Sequence, residues 1–483
     1  MLLVAGVAVA AAALGIGVRG SFGAQVAVDE VQYLFTATSL IEDGNLDIAD
    51  ERAERRWQEF AGEEPPVQSE PLAGGRRISP HDPLLPRLLA GPVGVAGWAG
   101  IGGWVGAKLA LSLLAGALAA VTLWLAVRRF DVDLPLATVG VAVAAASAPL
   151  AVYGQQLYPE LPAALVTLAG VAALTGRLRT GQLVLLVAAV TALPWLSVKY
   201  VPVAAALALA GAVRAGRAGR RRELLIAAGA LVGLGLAYLA VHRAVWGGWT
   251  VYASGDHFQR SGEFGVLGFQ PSYLGRAQRL GSLLVDRTYG IVAWQPAWLL
   301  LLPAVGALLA RRPRGWPALA APLAAGWLIA TFLAVTMSGF WWPGRQLVVV
   351  LPVALLVVLW WLARLPRPAQ LAAGVLGLAG VLTYGWLLVE GWAREITWVS
   401  GFPGTSAPPY RLIRPLLPDY LSSGYWSGHL MWAVVLLGGV AAGWWWSVHD
   451  RRRYRSEDPY DSTGTGGGGP VHSGVAGPDR LPG

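Results

Sequence analysis

Long apolar runs alternate with short polar segments along most of the chain. A membrane-spanning helix needs about 20 mostly apolar residues, and a series of runs approaches that length. They occupy positions 1–18, 84–101, 104–127, 134–153, 158–176, 181–199, 201–213, 224–241, 289–310, 317–337, 347–363, 369–389 and 430–448. The pattern predicts an all-α polytopic membrane protein whose polar segments are its loops.

Basic residues between the runs indicate which loops face the cytoplasm, since lysine and arginine are enriched on that side. The clusters are Arg128-Arg129, Arg177 with Arg179, Arg214 to Arg222, Arg311-Arg312 with Arg314, Arg364 with Arg367, and Arg451 to Arg455. All fit one alternation if the glycine-rich run 84–101 is an interfacial or re-entrant segment on the outer side. This predicts about 12 transmembrane helices in the cell membrane, with both termini cytoplasmic and 1–18 retained as the first span.

The predicted topology places most of the mass outside the bilayer on the outer face. A membrane domain covers 1–448, with large outer loops at 19–82, 244–287 and 390–428. The remaining segment, 449–483, is rich in Gly, Pro and Ser, which predicts a disordered cytoplasmic tail. Chemistry is therefore expected on the outer face.

Two juxtamembrane helices are predicted in the first outer loop. The first begins near Asp29, a good N-cap residue that forms a capping-box pattern with Gln32, and Gly44 ends it. The second covers Asp47–Phe60 and would place Trp57 and Phe60 at the level of the lipid headgroups.

Composition narrows the function classes. The chain is 55% hydrophobic and only 13% charged, about half the usual globular share of roughly 25%, which argues against a soluble enzyme. It has no cysteine, so disulfides, thiolate metal sites and a cysteine nucleophile are excluded. The net charge of +9 reflects basic cytoplasmic loops, so no nucleic-acid partner is expected.

Several ionisable side chains lie at the predicted outer ends of spans. Taken singly, each has a simpler explanation: snorkelling to the interface for the span residues, a helix cap for Asp29, a solvated loop for His81. Together they can line one cavity, in which cations neutralise a phosphate and a carboxylate acts as general base. The candidates are Asp29, His81, Lys108, Glu160, Lys199 and Arg345.

These motifs, in this order, resemble the polytopic GT-C glycosyltransferases, which include protein mannosyltransferases and the lipid A aminoarabinose transferase. The resemblance covers about residues 1–360. It rests on Asp29-Glu30 after the first span, His81-Asp82-Pro83 before an apolar run, Arg128-Arg129-Phe130, Tyr158-Pro159-Glu160, Lys199, and Trp341-Trp342-Pro343-Gly344-Arg345-Gln346 leading into Leu347–Pro352.

The resemblance implies an outer-face enzyme that moves a sugar from a polyprenyl-phosphate donor to a hydroxyl of a glycan, lipid or protein acceptor. Asp29 or Glu30 takes the role of base, and Glu160 that of a second acidic residue. His81, Lys199 and Arg345 take the phosphate-binding positions. Lys108, Tyr158, Trp341 and Trp342 are candidates to line the substrate site.

Two other functions stay open at this point. A transporter or lipid flippase would also be polytopic, although such proteins tend to carry charges and broken helices at the midplane. A non-catalytic subunit of cell-envelope assembly is the other alternative. No cofactor is implied, and a divalent cation held by Asp29, Glu30 and Glu160 stays open because nothing fixes its ligand geometry.

Overall fold

The computed structural model describes residues 1–177, 179–249, 273–334, 337–421 and 426–456. Within these ranges the fold is all-α, with isolated β-bridges and no β-strand. Most of the predicted loop 244–287 and the predicted tail after residue 456 lie outside the described residues.

Twenty α-helices are present in the described ranges. The first ten are α1 Leu2–Leu14, α2 Val28–Glu42, α3 Ala49–Ala53, α4 Leu84–Trp98, α5 Gly103–Arg129, α6 Leu134–Ala145, α7 Leu150–Tyr153, α8 Glu160–Thr175, α9 Thr180–Leu196 and α10 Val201–Arg217. The others are α11 Arg221–Trp246, α12 Tyr273–Ala277, α13 Arg279–Val285, α14 Ile291–Trp294, α15 Leu301–Arg311, α16 Trp316–Leu328, α17 Leu351–Leu362, α18 Arg367–Trp392, α19 Pro408–Ile413 and α20 Trp426–Ser456.

Six helical segments in the described ranges are long and apolar enough to cross a membrane. They are Gly103–Arg129, Val198–Arg217, Arg221–Trp246, Trp316–Leu333, Arg367–Trp392 and Ser427–His449. Six further predicted runs form shorter apolar helices, because turns interrupt or shorten them. The segment 84–101 forms α4, which contains Pro92.

The outer surfaces of these helices are strongly apolar. Leu225 on α11 is 73% exposed, Leu371 on α18 72% and Leu437 on α20 73%. Exposed apolar faces of this extent are unfavourable in water and favourable against lipid. Length and surface composition together are those of a membrane protein.

The core lies around α17, in which every residue except Trp361 is buried. This helix packs against α5, α8, α15 and α16. Because it is surrounded by protein on all sides, its unbroken apolar sequence needs no polar face.

The first outer loop differs from its prediction in two respects. Helix α2 matches the predicted first helix, but residues 30–37 are buried on every side, so α2 does not lie on a surface. The predicted second helix over Asp47–Phe60 is wrong as one element. It is divided into α3 and a 3-10 turn, Arg56–Glu59, by Arg55, whose φ of 58° no α-helix accommodates.

The predicted placement of Trp57 and Phe60 among headgroups is also wrong. Trp57 is 9% exposed and Phe60 5%, and both belong to the main hydrophobic core. Phe60 lies 6.0 Å from Phe35 of α2, centroid to centroid. The loop therefore folds back over α2, and the two aromatic side chains bury themselves against protein.

Glycines allow α15 and α20 to approach closely. A Cβ atom on Gly443 would overlap the backbone of Pro303, and one on Gly306 would overlap the backbone of Val440. A Cβ on Gly438, in the same helix as Gly443, would meet no atom within 4 Å. Alanine at Gly443 therefore tests the close packing of the two helices, whereas alanine at Gly438 tests only helix propensity.

We expect Gly443→Ala to destabilise the protein by about 1–3 kcal/mol, because the two helix backbones must separate. Gly438→Ala should instead stabilise it by roughly 0.5–1 kcal/mol, since alanine favours the helix. Thermal unfolding of detergent-purified protein measures both. Equal shifts in the same direction for the two variants would contradict the close approach at Gly443.

Candidate functional site

The start of α2 is organised by Glu30, not by Asp29. The N-cap residue is Ala27, which has no capping side chain, so the Asp29 cap predicted from the sequence is wrong. The Glu30 carboxylate accepts the Ala27 N–H with Oε2 and the Leu157 N–H, at 2.7 Å, with Oε1. Glu30 thus both caps α2 and ties it to the segment that precedes α8.

The Asp29 carboxylate does not cap α2 and makes other contacts. Its Oδ2 lies 3.1 Å from Nη1 of Arg345, and its Oδ1 accepts a hydrogen bond of 3.1 Å from Nε2 of Gln68. The side chain is 19% exposed. A carboxylate in the first turn of a helix is also favoured by the helix dipole.

Glu160, the first residue of α8, accepts from two cations through one oxygen. Its Oε1 is 2.6 Å from Nζ of Lys199 and 2.8 Å from Nε of Arg345. The side chain is 1% exposed. Within the described ranges its other oxygen, Oε2, is buried and has no hydrogen-bond partner.

Arg345 joins the two carboxylates. Gly344 precedes it with φ of 83°, and a Cβ there would collide with Ile291, so the turn that presents Arg345 requires glycine. The guanidinium lies 4.0 Å from the ring centroid of Tyr158 and 5.4 Å from that of Trp341. The rings contact the face of the guanidinium, so its N–H groups, which lie in the plane, remain able to bind carboxylates.

Lys199 is positioned by a buried anchor on Asp82. The Asp82 carboxylate accepts from the Val198 N–H at 2.9 Å, beside Lys199, and from the Tyr238 hydroxyl at 2.9 Å. Its Oδ1 also lies 3.2 Å from Nε2 of His242. Lys199 keeps 28% of its side chain exposed, and its ammonium group binds Glu160.

His81 lies beside this group, with its ring stacked on Tyr33 at a centroid distance of 4.8 Å. Burial lowers the pKa of His81, and the opposing effect of the Asp29 charge does not restore it to its ordinary value. The imidazole is therefore neutral near pH 7, and offers one donor and one acceptor.

The pKa of Asp29 lies below its ordinary value. Burial alone would raise it, but the charge of Arg345, together with His81 and the Gln68 hydrogen bond, outweighs that effect. Asp29 is thus ionised from mildly acidic pH upward.

The sequence candidates fall into two sets. Asp29, His81, Glu160, Lys199 and Arg345 lie together, with Tyr158 and Trp341 against the guanidinium of Arg345. We call this set the Arg345 cluster.

Three candidates lie apart from the Arg345 cluster. Lys108 is fully buried and lies 3.9 Å from Oε1 of Glu30, with Gln155 accepting from its ammonium group at 2.9 Å. Trp342 is fully buried, with its ring against Trp294 at a centroid distance of 4.9 Å. Neither side chain, nor that of Glu30, reaches a surface.

The carboxylates considered for a divalent cation are engaged otherwise. Glu30 accepts from two backbone N–H groups, while Glu160 and Asp29 bind Arg345. In the described ranges these three carboxylates do not converge on one point that could hold a metal ion.

Sequence reasoning missed two polar side chains that shape the site. Gln68 had no local pattern to distinguish it from other loop amides. Asp82 stood within the quoted His81-Asp82-Pro83 motif, but its partners Val198, Tyr238 and His242 are more than 100 positions away. Only the tertiary structure brings them together.

The chain matches no protein-family model, no curated protein and no solved structure. The contacts within the Arg345 cluster are therefore the basis for inferring its chemistry.

We expect Glu160→Gln to destabilise the protein by about 3 kcal/mol, because it leaves the buried Arg345 and the partly buried Lys199 without their shared anion. The estimate is at the lower end of the usual range since Lys199 still reaches water. Adding Lys199→Met should recover part of the loss, because it removes one unpaired cation. Thermal unfolding of the single and double variants measures the coupling, and strictly additive effects would contradict a shared ion pair.

Proposed function

We propose that this protein is a glycosyltransferase of the GT-C type, which transfers a sugar from a polyprenyl-phosphate donor to a hydroxyl group of a cell-envelope acceptor. We place the reaction on the outer face of the cell membrane, with both termini in the cytoplasm. The observation that carries the proposal is the Arg345 cluster, in which the partly exposed, ionised carboxylate of Asp29 pairs with Arg345, and Arg345 and Lys199 share the carboxylate of Glu160.

Asp29 is the general base in this proposal. It is ionised, it reaches solvent, and it belongs to the first turn of a rigid, buried helix. Glu30 does not fit that role because both of its oxygens are occupied and the side chain is fully buried. In this proposal Glu30 therefore fixes the start of α2, and Asp29 faces the substrate.

Lys199 and Arg345 bind the donor phosphate. Arg345 uses Nε and Nη1 for Glu160 and Asp29, and its Nη2 makes no bond to the described residues. Lys199 makes one bond, to Glu160, and is partly exposed. Both therefore retain donors for phosphate oxygens. His81 can add a further hydrogen bond from its neutral ring.

The reaction balances on these groups. Asp29 takes the proton of the acceptor hydroxyl as the new C–O bond forms at the anomeric carbon. The bond between that carbon and the phosphate oxygen breaks, and polyprenyl phosphate leaves with one more negative charge. Lys199 and Arg345 stabilise that charge where it develops.

Asp29→Asn should lower transfer by at least about 100-fold, because the amide cannot take up the proton. The assay is transfer in membranes that contain the variant and a panel of polyprenyl-phosphate sugars. Glu70→Gln, which alters an exposed carboxylate of the same loop, should retain wild-type activity. Glu30→Gln should mainly lower the Tm. The transfer rate per folded molecule should change less.

Full activity of Asp29→Asn would remove Asp29 as the base. Lipid movement or solute uptake in proteoliposomes without donor consumption would point to a transporter or flippase instead. Co-purification with a separate synthase, together with absence of transfer by the isolated chain, would point to a non-catalytic subunit.

The pH dependence of transfer should change when the Gln68 hydrogen bond to Asp29 is removed. Asp29 acts as base when ionised, so activity is present above its pKa and is lost as pH falls through it. The Gln68 hydrogen bond lowers that pKa. Gln68→Leu should therefore move the acidic limb of kcat/KM to higher pH, by up to about one unit. An unchanged acidic limb would show that Asp29 does not govern it.

A further inference from the structure

A second group of carboxylates lies at the far end of α2 from Asp29. Asp43 follows the last residue of α2, and Asp50 and Glu51 belong to α3. One carboxylate oxygen from each lies within 4.8 Å of the other two. Helix α2 has 15 residues, which places this group about 20 Å along the helix from Asp29.

Glu51 has no counter-charge in this group. It is 2% exposed, and in the described ranges neither of its carboxylate oxygens has a hydrogen-bond partner. A buried carboxylate normally pairs with a cation or binds a metal ion, because isolated burial of its charge is costly.

The nearby arginines bind elsewhere. Arg52 lies 3.1 Å from Glu64 and donates to the Pro65 carbonyl. Arg56 lies 2.7 Å from Glu42 and 3.0 Å from Glu54. In the described ranges no ion pair reaches Asp43, Asp50 or Glu51 from these side chains.

The loop that carries the group is held by other polar side chains. Asn45 Oδ1 accepts from Ser39 at 3.0 Å and from the Asp47 N–H at 2.6 Å. Asp47 Oδ1 accepts from the Ala49 N–H at 3.1 Å and the Arg77 N–H at 2.8 Å. These bonds fix the path from α2 to α3, so the three remaining carboxylates converge without help from a ligand.

We propose that Asp43, Asp50 and Glu51 form a Ca²⁺-binding site. The donors are all carboxylate oxygens, which hard cations prefer, and the group contains no histidine. Asp43 and Asp50 are exposed, so water can complete the coordination shell. Ca²⁺ accepts six to eight oxygens in flexible geometry, which suits ligands from a loop and a short helix better than the strict octahedron of Mg²⁺.

The ion would join the end of α2 to α3 and supply the positive counter-charge that Glu51 lacks. It would thereby stabilise the first loop without contacting the Arg345 cluster. The site is independent of the proposed transfer reaction, and its failure would leave that proposal unchanged.

The test is Ca²⁺ binding by the full-length protein in detergent, after removal of metal with EDTA. Calorimetric titration with CaCl₂ should give one site, and added Ca²⁺ should raise Tm. Glu51→Gln should weaken binding at least about ten-fold and abolish the rise in Tm. Glu63→Gln, which alters an exposed carboxylate of the same loop, should bind like the wild type.

Folding of the variants is controlled separately. In EDTA, Glu51→Gln should keep or exceed the wild-type Tm, because it replaces a buried carboxyl group that has no counter-charge with a neutral side chain of the same shape. Asp50→Asn, at an exposed position, provides a second variant that should also bind Ca²⁺ more weakly. Absence of binding by the wild type up to about 10 mM Ca²⁺, or equal affinity in all variants, would overturn the site. Equal affinity for Mg²⁺ would overturn its assignment to Ca²⁺.

Discussion

The shared carboxylate oxygen of Glu160 holds the candidate site together. An isolated ion within an apolar helical protein is unstable, so the buried Arg345 and the partly buried Lys199 need an anion beside them. Glu160 accepts from both at 2.6 and 2.8 Å, and Arg345 then reaches Asp29 at 3.1 Å. Segments that are far apart in the chain are thereby fixed to one another: the start of α2, the start of α8, the turn before α10 and the turn before α17.

Buried polar anchors set the positions of Asp29 and Lys199 in the candidate site. Glu30 ties the first turn of α2 to Leu157, three residues before Glu160, and Asp82 ties α11 to Val198, next to Lys199. Each anchor is a carboxylate whose oxygens accept from N–H or O–H donors, so none is left unsatisfied. This arrangement fixes backbone positions, from which Asp29 and Lys199 extend into the partly exposed space.

The sequence allowed most of the helical pattern to be predicted, because apolar runs and glycine stops are local features. Helix α2 and its end before Gly44 are examples. The break at Arg55 and the burial of Trp57 and Phe60 were not predictable, since they depend on the loop folding back over α2. The Asp29 cap failed for a similar reason: Glu30 has a partner at Leu157, which no local pattern reveals. Gln68 and Asp82 were missed because their partners are distant in sequence.

Asp29 and Glu30 are adjacent carboxylates in different environments. The two differ by one methylene and follow each other in the same helical turn. Glu30 points inward, where two backbone N–H groups and the nearby Lys108 account for its charge. Asp29 points to the Arg345 cluster, where a cation stabilises its charge and solvent still reaches it. In the proposed reaction the base must exchange protons with a substrate, and of the two carboxylates only that of Asp29 is accessible enough for that role.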